Sequence, residues 1–306
     1  MSATESSRRT FLKMAAATTA VAATTAACGD RAASVNAFIH TRLREMTPGE
    51  VTEFCARIER DCQDRFGRQV HVGSEPPLAG VIFGYGLDLS RCNGNRRCVE
   101  ACIQENNQSR ASPEGRHNNP IQWITVLEMD EEAGVDLDRS TAYYNPEKVP
   151  APGKAYIPVA CQQCDNPPCV KVCPVKATWA EADGIVVIDY DQCIGCRCCM
   201  SACPYGARHF NWSEPKLPAE QLNPTMHVLG NRPRMRGVVE KCTFCVQRTR
   251  KGLYPACHDA CPTGARVFGN LLDPESEIRR LLATKKVFVL KSELGTHPKF
   301  FYFYSV

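Results

Sequence analysis

The sequence predicts an α+β fold of two paired cysteine-loop modules with long loops and a small N-terminal helical extension. Three observations predict it. Fifteen of the 19 cysteines fall into four spaced groups, apolar runs between them are brief and broken by Pro and Gly, and one stretch of helical period precedes them. The 306 residues suffice for one large domain or two smaller ones, and a hydrophobic content of 43% permits a packed core. The net charge of +4 comes without a clustered basic stripe, which argues against nucleic-acid binding. No apolar run approaches the roughly 20 residues that span a bilayer, so membrane contact is expected through a partner or an anchor.

Residues 1–30 read as an address. Ser7-Arg8-Arg9-Thr10-Phe11-Leu12-Lys13 resembles the twin-arginine export signal S-R-R-x-F-L-K at every defined position. Met14 to Ala27 is an Ala/Thr-rich stretch of signal type, too short for a spanning helix. That route carries folded proteins, which suits clusters assembled in a reducing cytosol, and places the chain on the periplasmic or extracytoplasmic face. Thr25-Ala26-Ala27-Cys28 resembles a lipobox, with Thr25 where Leu is usual; Cys28 is then a candidate lipid anchor or an incidental leader cysteine.

Residues 31–79 are expected to form the helical extension. Thr47-Pro48-Gly49-Glu50 has the order of a capping box with Pro at the first helical position. Val51, Phe54, Cys55, Ile58 and Cys62 recur on one face. Cys55 and Cys62 lie about 10 Å apart along such a helix, too far for a disulfide, and read as buried apolar residues. Ser74–Pro77 reads as a linker. Residues 80–286 form the cysteine-rich domain, in which 184–189 (GIVVID) reads as a strand and the Pro- and Arg-rich segment 213–237 as a surface loop insertion. Residues 287–306 hold a strand at Val287–Leu290 and an aromatic tail. In the tail, Phe300, Phe301, Tyr302, Phe303 and Tyr304 read either as an edge strand with one buried face or as a docking contact.

The chemistry lies in the cysteine groups. Group one is Cys92, Cys98 and Cys102, with Asn95 where a second cysteine is due. Group two is Cys161, Cys164, Cys169 and Cys173; group three is Cys193, Cys196, Cys199 and Cys203; group four is Cys242, Cys245, Cys257 and Cys261. Groups two to four end in Cys-Pro, through Pro174, Pro204 and Pro262. A C-x2-C-x2-C loop wraps three thiolates around three corners of an iron–sulfur cubane. The fourth cysteine, three residues on, points away to the partner cluster, so ligand groups work in pairs. Four groups therefore imply two bacterial-ferredoxin-like dicluster modules and four cluster sites. Zinc favours isolated C-x2-C pairs and leaves the third and fourth cysteines unexplained. Disulfides do not suit cysteines two residues apart, and a c-type haem motif is absent because Tyr254 stands where its first cysteine belongs. Cys198 falls out of register and reads as a spare.

These motifs resemble the iron–sulfur subunits of membrane quinone-linked oxidoreductases of the polysulfide, tetrathionate, dimethyl sulfoxide and nitrite reductase type. The periplasmic iron–sulfur protein of the complex linked to dissimilatory sulfite reductase is the nearest expectation. The telling segments are CQQCDNPPCVKVCPVKATW, DGIVVIDYDQCIGCRCCMSACPYGARHFNW and VVEKCTFCVQRTRKGLYPACHDACPTGARVFGNLLDP, within residues 81–304. The resemblance implies that group one pairs with group four and group two with group three. The implied ligand sets are Cys161, Cys164, Cys169 with Cys203; Cys193, Cys196, Cys199 with Cys173; Cys242, Cys245, Cys257 with Cys102; and Cys92, Cys98, Cys261 with Asn95 at the last corner. An amide oxygen is a weak iron ligand, so three [4Fe-4S] clusters and one [3Fe-4S] cluster are expected, with a fourth [4Fe-4S] cluster as the alternative. The implied function is non-catalytic electron relay between a polytopic quinone-reactive membrane subunit and a multihaem cytochrome or molybdopterin subunit. No small-molecule substrate is implied. The alternatives are a molybdopterin-oxidoreductase beta subunit and, from another class, a self-contained catalyst at the Asn95 site.

Overall fold

The computed structural model describes residues 42–111, 120–142 and 145–305; Arg8, Arg9, Cys28 and the rest of the leader lie outside them. Residues 1–47 form one unit, whose described part holds a short turn of 3-10 helix over Leu43–Glu45. Residues 48–306 form the other, an α+β unit of short strands and mostly one-turn helices.

The helix predicted by the capping pattern runs over Pro48–Phe66 and buries Phe54, Cys55 and Cys62. Both cysteines are free thiols, and burial pushes Cys62 up to about 11. The strand His71–Gly73 comes next and pairs in parallel with Thr225–His227.

That pairing corrects the expectation for 213–237. Residues 213–221 lie at the surface, but the rest of the segment does not: Leu222, Met226, His227, Val228, Leu229, Asn231, Arg232 and Arg234 are buried. Side chains replace regular hydrogen bonding there. Asn223 N donates to Asn107 Oδ1 at 2.8 Å, Asn107 Nδ2 donates to Asn231 O at 3.0 Å, and Arg234 Nη2 donates to Asn107 O at 2.8 Å. The buried Arg234 also pairs with the buried Glu240 at 2.7 Å. Packing without helical or strand period leaves no pattern for a sequence reading to find.

A four-stranded sheet anchors the C-terminal half, in the order Arg266–Asn270, Phe83–Asp88, Phe300–Phe303, Val287–Phe288. Phe83–Asp88 runs antiparallel to Arg266–Asn270 and parallel to Phe300–Phe303, which places Tyr85 beside Phe268 and Phe300. The Tyr85 and Phe300 rings stack at 4.7 Å between centroids. The helix Glu277–Thr284 lays Ile278 and Leu281 on Val267 and Phe303, each side chain contributing about 1.5–3 kcal/mol by burial. The aromatic tail is therefore an interior strand, covered on both faces. Phe300, Tyr302 and Phe303 are buried, Phe301 is half-buried and only Tyr304 is exposed, so the tail is neither an edge strand nor a docking surface.

The expected strand within 184–189 forms at Val186–Ile188, buried throughout and paired antiparallel with Thr178–Ala180. The expected strand at 287–290 is confined to Val287–Phe288. A further antiparallel sheet joins Thr141–Ala142, Thr125–Asp130 and Lys154–Val159, and His209–Phe210 pairs with Val239–Glu240. Most cysteine groups sit in the loops that leave these short ladders.

Candidate metal centres

Each cysteine group is a loop that turns through left-handed backbone and ends in a short helix. In group three Gly195 has φ 67° and Arg197 φ 64°, and the helix is the single turn Cys198–Ser201. A Cβ on Gly195 would lie 2.1 Å from the Gly237 carbonyl oxygen, so no other residue fits without moving backbone. Group one repeats the path with Gly94 at φ 74° and Arg96 at φ 60°, then runs into the helix Arg97–Glu105. Group four carries Phe244 and Cys245 in left-handed backbone before Val246–Thr249, and Cys257 stands on the turn Ala256–Asp259. In group two Cys169 stands on the turn Pro168–Lys171.

Charge neighbours sort the sulfurs into sets. Burial, and then the sulfurs of Cys242, Cys245 and Cys257, push the Cys102 thiol well above its ordinary value. Cys164 is pushed up to about 12 by burial and then by Cys161, Cys169 and Cys203. Cys92 is pushed up to about 11 by burial, with Cys98 and Cys261 adding to it. Cys199, raised by burial, has Cys193 and Cys169 beside it. Cys198 is exposed and hydrogen-bonded to Cys196, which raises its pKa first, with Cys173 also within reach. Fourth cysteines thus lie with the partner group: Cys102 with group four, Cys203 with group two, Cys261 with group one and Cys173 near group three. Contacts also run between sets: Cys199 with Cys169, Cys242 with Cys161, and Cys257 with Cys98. Neighbouring sulfurs thus connect group three to group two, group two to group four and group four to group one.

The donor sets fit iron–sulfur clusters. Iron would bind these sulfurs as thiolates, the protons that burial keeps on the free thiols being released to solvent. Buried donors already face the sulfurs, as bound thiolates need. Gln108 Nε2 reaches Cys102 Sγ at 3.1 Å, Asn106 Nδ2 reaches Cys245 Sγ at 3.5 Å, and Arg208 Nη2 reaches Cys169 Sγ at 2.9 Å. None of these donors was singled out by spacing.

Asn95 lies where the register predicts. A small cavity of about 20 Å³ is lined by Cys92, Asn95, Cys98 and Cys261, with Arg266 at its wall. The amide is already engaged: Asn95 Oδ1 accepts from Arg97 N at 3.0 Å, and Asn95 Nδ2 donates to Asn93 Oδ1. Lys241, fully buried, donates to Cys242 O at 2.9 Å and to Val186 O, and faces the sulfurs of Cys161 and Cys242.

A family model described as a 4Fe-4S dicluster domain matches residues 153–222 and 228–271, and a second of the same description matches 91–177. A twin-arginine translocation signal model matches residues 5–25, so the chain carries an export signal. The chain is 44% identical over 214 residues to an Hdr-like menaquinol oxidoreductase iron-sulfur subunit of Archaeoglobus fulgidus, covering 67% of this chain and 71% of that one. It is 36% identical over 249 residues to a selenate reductase subunit of Mesobacillus selenatarsenatis, covering 78% and 77%. Against the menaquinone reductase iron-sulfur cluster-binding subunit of Nitratidesulfovibrio vulgaris it is 37% identical over 244 residues, covering 72% and 88%. The chain belongs to the 4Fe-4S dicluster iron–sulfur subunits of reductase complexes, which carry electrons and are not the catalytic subunits.

Proposed function

We propose that the chain is a four-site wire that holds three [4Fe-4S] clusters and one [3Fe-4S] cluster at the site of Cys92, Cys98 and Cys261. The observation that supports this reading is that Cys102 lies near the group-four sulfurs, Cys203 near those of group two and Cys261 near those of group one. Cys161, Cys164, Cys169 and Cys203 serve one cluster; Cys193, Cys196, Cys199 and Cys173 the next; Cys242, Cys245, Cys257 and Cys102 the third. Asn95 supplies no fourth thiolate to the last site, and its oxygen is spent on Arg97 N. When bound, the clusters supply one-electron carriage. The chain's own part is to hold thiolates at fixed corners, aim amide and guanidinium donors at them and keep water away. Iron and acid-labile sulfide analysis with paramagnetic resonance tests the reading: a three-iron signal is expected in the air-oxidised protein, and four ordinary cubanes refute it.

The electrons pass between a polytopic quinone-reactive membrane subunit and a redox partner, a multihaem cytochrome or a molybdopterin subunit. Relatives named for menaquinol or menaquinone chemistry support the first partner. Relatives named as subunits of selenate and tetrathionate reductases support a catalytic second partner and keep the beta-subunit reading open. Among the described residues no helix is long and apolar enough to cross a membrane, which makes docking the route of contact. Since the aromatic tail is buried, the contact is reassigned to the surface at group three. There Ile194 and Trp212 are 63% and 56% exposed, Cys196 is exposed, and the Arg197 guanidinium lies 4.6 Å from the Trp212 ring centroid. Exposed aromatic and Arg side chains of this kind anchor interfaces. Trp212→Ala is expected to weaken co-purification with the membrane subunit at unchanged iron content; undiminished co-purification removes this face.

A further inference from the structure

The chain repeats itself after the last cysteine of two groups. Cys203-Pro204-Tyr205-Gly206-Ala207-Arg208 and Cys261-Pro262-Thr263-Gly264-Ala265-Arg266 share the pattern C-P-x-G-A-R, and Gly206 and Gly264 share φ 61°. Both arginines are buried. Buried guanidinium needs a compensating charge, and carboxylates are the usual source. Here the facing groups are sulfurs. Cys169, Cys199 and Cys161 surround Arg208; Cys98, Tyr85 and Cys257 surround Arg266. In each case the sulfurs belong to two different ligand sets.

The contacts are specific. Arg208 Nη2 donates to Cys169 Sγ at 2.9 Å and to Thr178 Oγ1 at 3.1 Å. Arg266 Nη1 donates to the Tyr85 hydroxyl at 3.3 Å, and that hydroxyl lies 3.2 Å from Cys257 Sγ. The Arg266 guanidinium also sits 5.5 Å from the centroid of the Tyr85 ring. Its Nη2 is buried without a partner, and the residue walls the cavity of Cys92, Cys98 and Cys261.

We propose that Arg208 and Arg266 are the internal counter-charges of the two cluster pairs. Each stands in the gap between two clusters, bonds one of them directly or through Tyr85, and raises the reduction potential of both. This rests on the ligand sets given above. A thiolate-bound cluster becomes more negative on reduction, so a fixed cation beside it favours the reduced form, and the dry interior strengthens the effect. Arginine suits the task because it stays protonated under all working conditions. It also relieves the repulsion between two reduced neighbours, so both clusters of a pair can hold an electron. The unpartnered Nη2 of Arg266 is accounted for as the donor facing the group-one cluster.

The test is a redox titration of the purified, cluster-loaded chain monitored by paramagnetic resonance, with variants R208Q, R208K, R266Q and R266K. R208Q is expected to lower the midpoints of the two clusters of groups two and three only, and R266Q those of groups one and four only. Each fall should be at least about tenfold in the oxidised-to-reduced ratio at fixed potential, roughly 59 mV for one electron. The Lys variants keep the charge and should shift less. Unchanged potentials in the Gln variants, or equal shifts in all four clusters, overturn the proposal. Should a Gln variant lose iron, its Lys partner decides: a smaller fall confined to the same two clusters supports the proposal, while no shift, or loss of iron there too, makes the arginine structural and overturns it. A wild-type chain without the stated iron and sulfide content fails the ligand sets themselves, which is read separately.

Discussion

The loops Cys92–Cys98 and Cys193–Cys199 trace one backbone path with different chemistry. Their third residues, Gly94 and Gly195, have φ 74° and 67°, and their fifth, Arg96 and Arg197, φ 60° and 64°. They diverge at the fourth residue, Asn95 against Cys196, and in the helices beyond the loops. Cys203 is followed by Pro204 and its helix is one turn; Cys102 is followed by Ile103 and its helix spans the nine residues Arg97–Glu105. The loop conformation therefore does not depend on the fourth-position thiolate. Where the thiol is missing, the amide binds the first turn of a longer helix, and that helix leads to Asn106 and Gln108, which face the group-four set. Where one loop carries a thiol the other carries an amide bonded to backbone, and its longer helix brings further donors to the neighbouring sulfurs.

The comparison breaks most severely at the shared glycine. Gly195→Ala sets a methyl against the Gly237 carbonyl oxygen in a left-handed conformation that alone costs about 1–2 kcal/mol. We expect several kcal/mol of destabilisation in all, seen as a lower unfolding temperature and loss of iron from group three. At Gly94 the added methyl would meet the Tyr156 ring at 2.6 Å, a side chain that can shift, so Gly94→Ala should cost less. Equal losses would show that backbone conformation, and not the Gly237 contact, decides.

Exchanging the fourth residues comes next. Cys196→Asn should remove one iron and add a three-iron signal, and Asn95→Cys should add one iron and abolish the signal at group one. If Asn95→Cys leaves the iron count unchanged, the longer helix holds that corner away from the cluster. Asn95→Ala removes the bonds to Arg97 N and to Asn93 Oδ1, an expected loss of about 0.5–2 kcal/mol with iron intact. Loss of iron in that variant would make Asn95 a ligand after all. The smallest effect is expected from Cys198→Ser, which replaces the cysteine at the position of Arg97 in the other loop. Iron content should not change and stability should move by no more than about 0.5 kcal/mol. A missing iron would remove Cys198 from its place as the spare.

Legibility tracked the range of the interactions. The cysteine loops were readable because most of each group's cysteines are separated by two to four residues along the chain, group four's Cys257 excepted. Val186–Ile188 and Pro48–Phe66 were readable through local period and capping. The later part of 213–237 was misread because its buried polar groups are satisfied by Asn107, 116 residues before Asn223. The tail was misread because an aromatic run has the same composition whether its strand is at an edge or inside; partners on both sides, Phe83–Asp88 and Val287–Phe288, decided that. The C-P-x-G-A-R repeat was visible as letters, yet its meaning needed Tyr85 and Cys169 in place.

The sequence by itself determined that this chain is exported and that it belongs with iron–sulfur proteins, because the signal and the cysteine spacing are local and chemically specific. It also determined that one loop lacks a thiolate. Tertiary structure alone decided that the Asn95 oxygen accepts from Arg97 N, that Arg208 bonds Cys169 and that Arg266 reaches Cys257 through Tyr85. The reason is physical. A buried guanidinium and the sulfurs that compensate it are brought together by sheet pairing and helix packing across long stretches of chain, and no spacing in the sequence records distances of that kind.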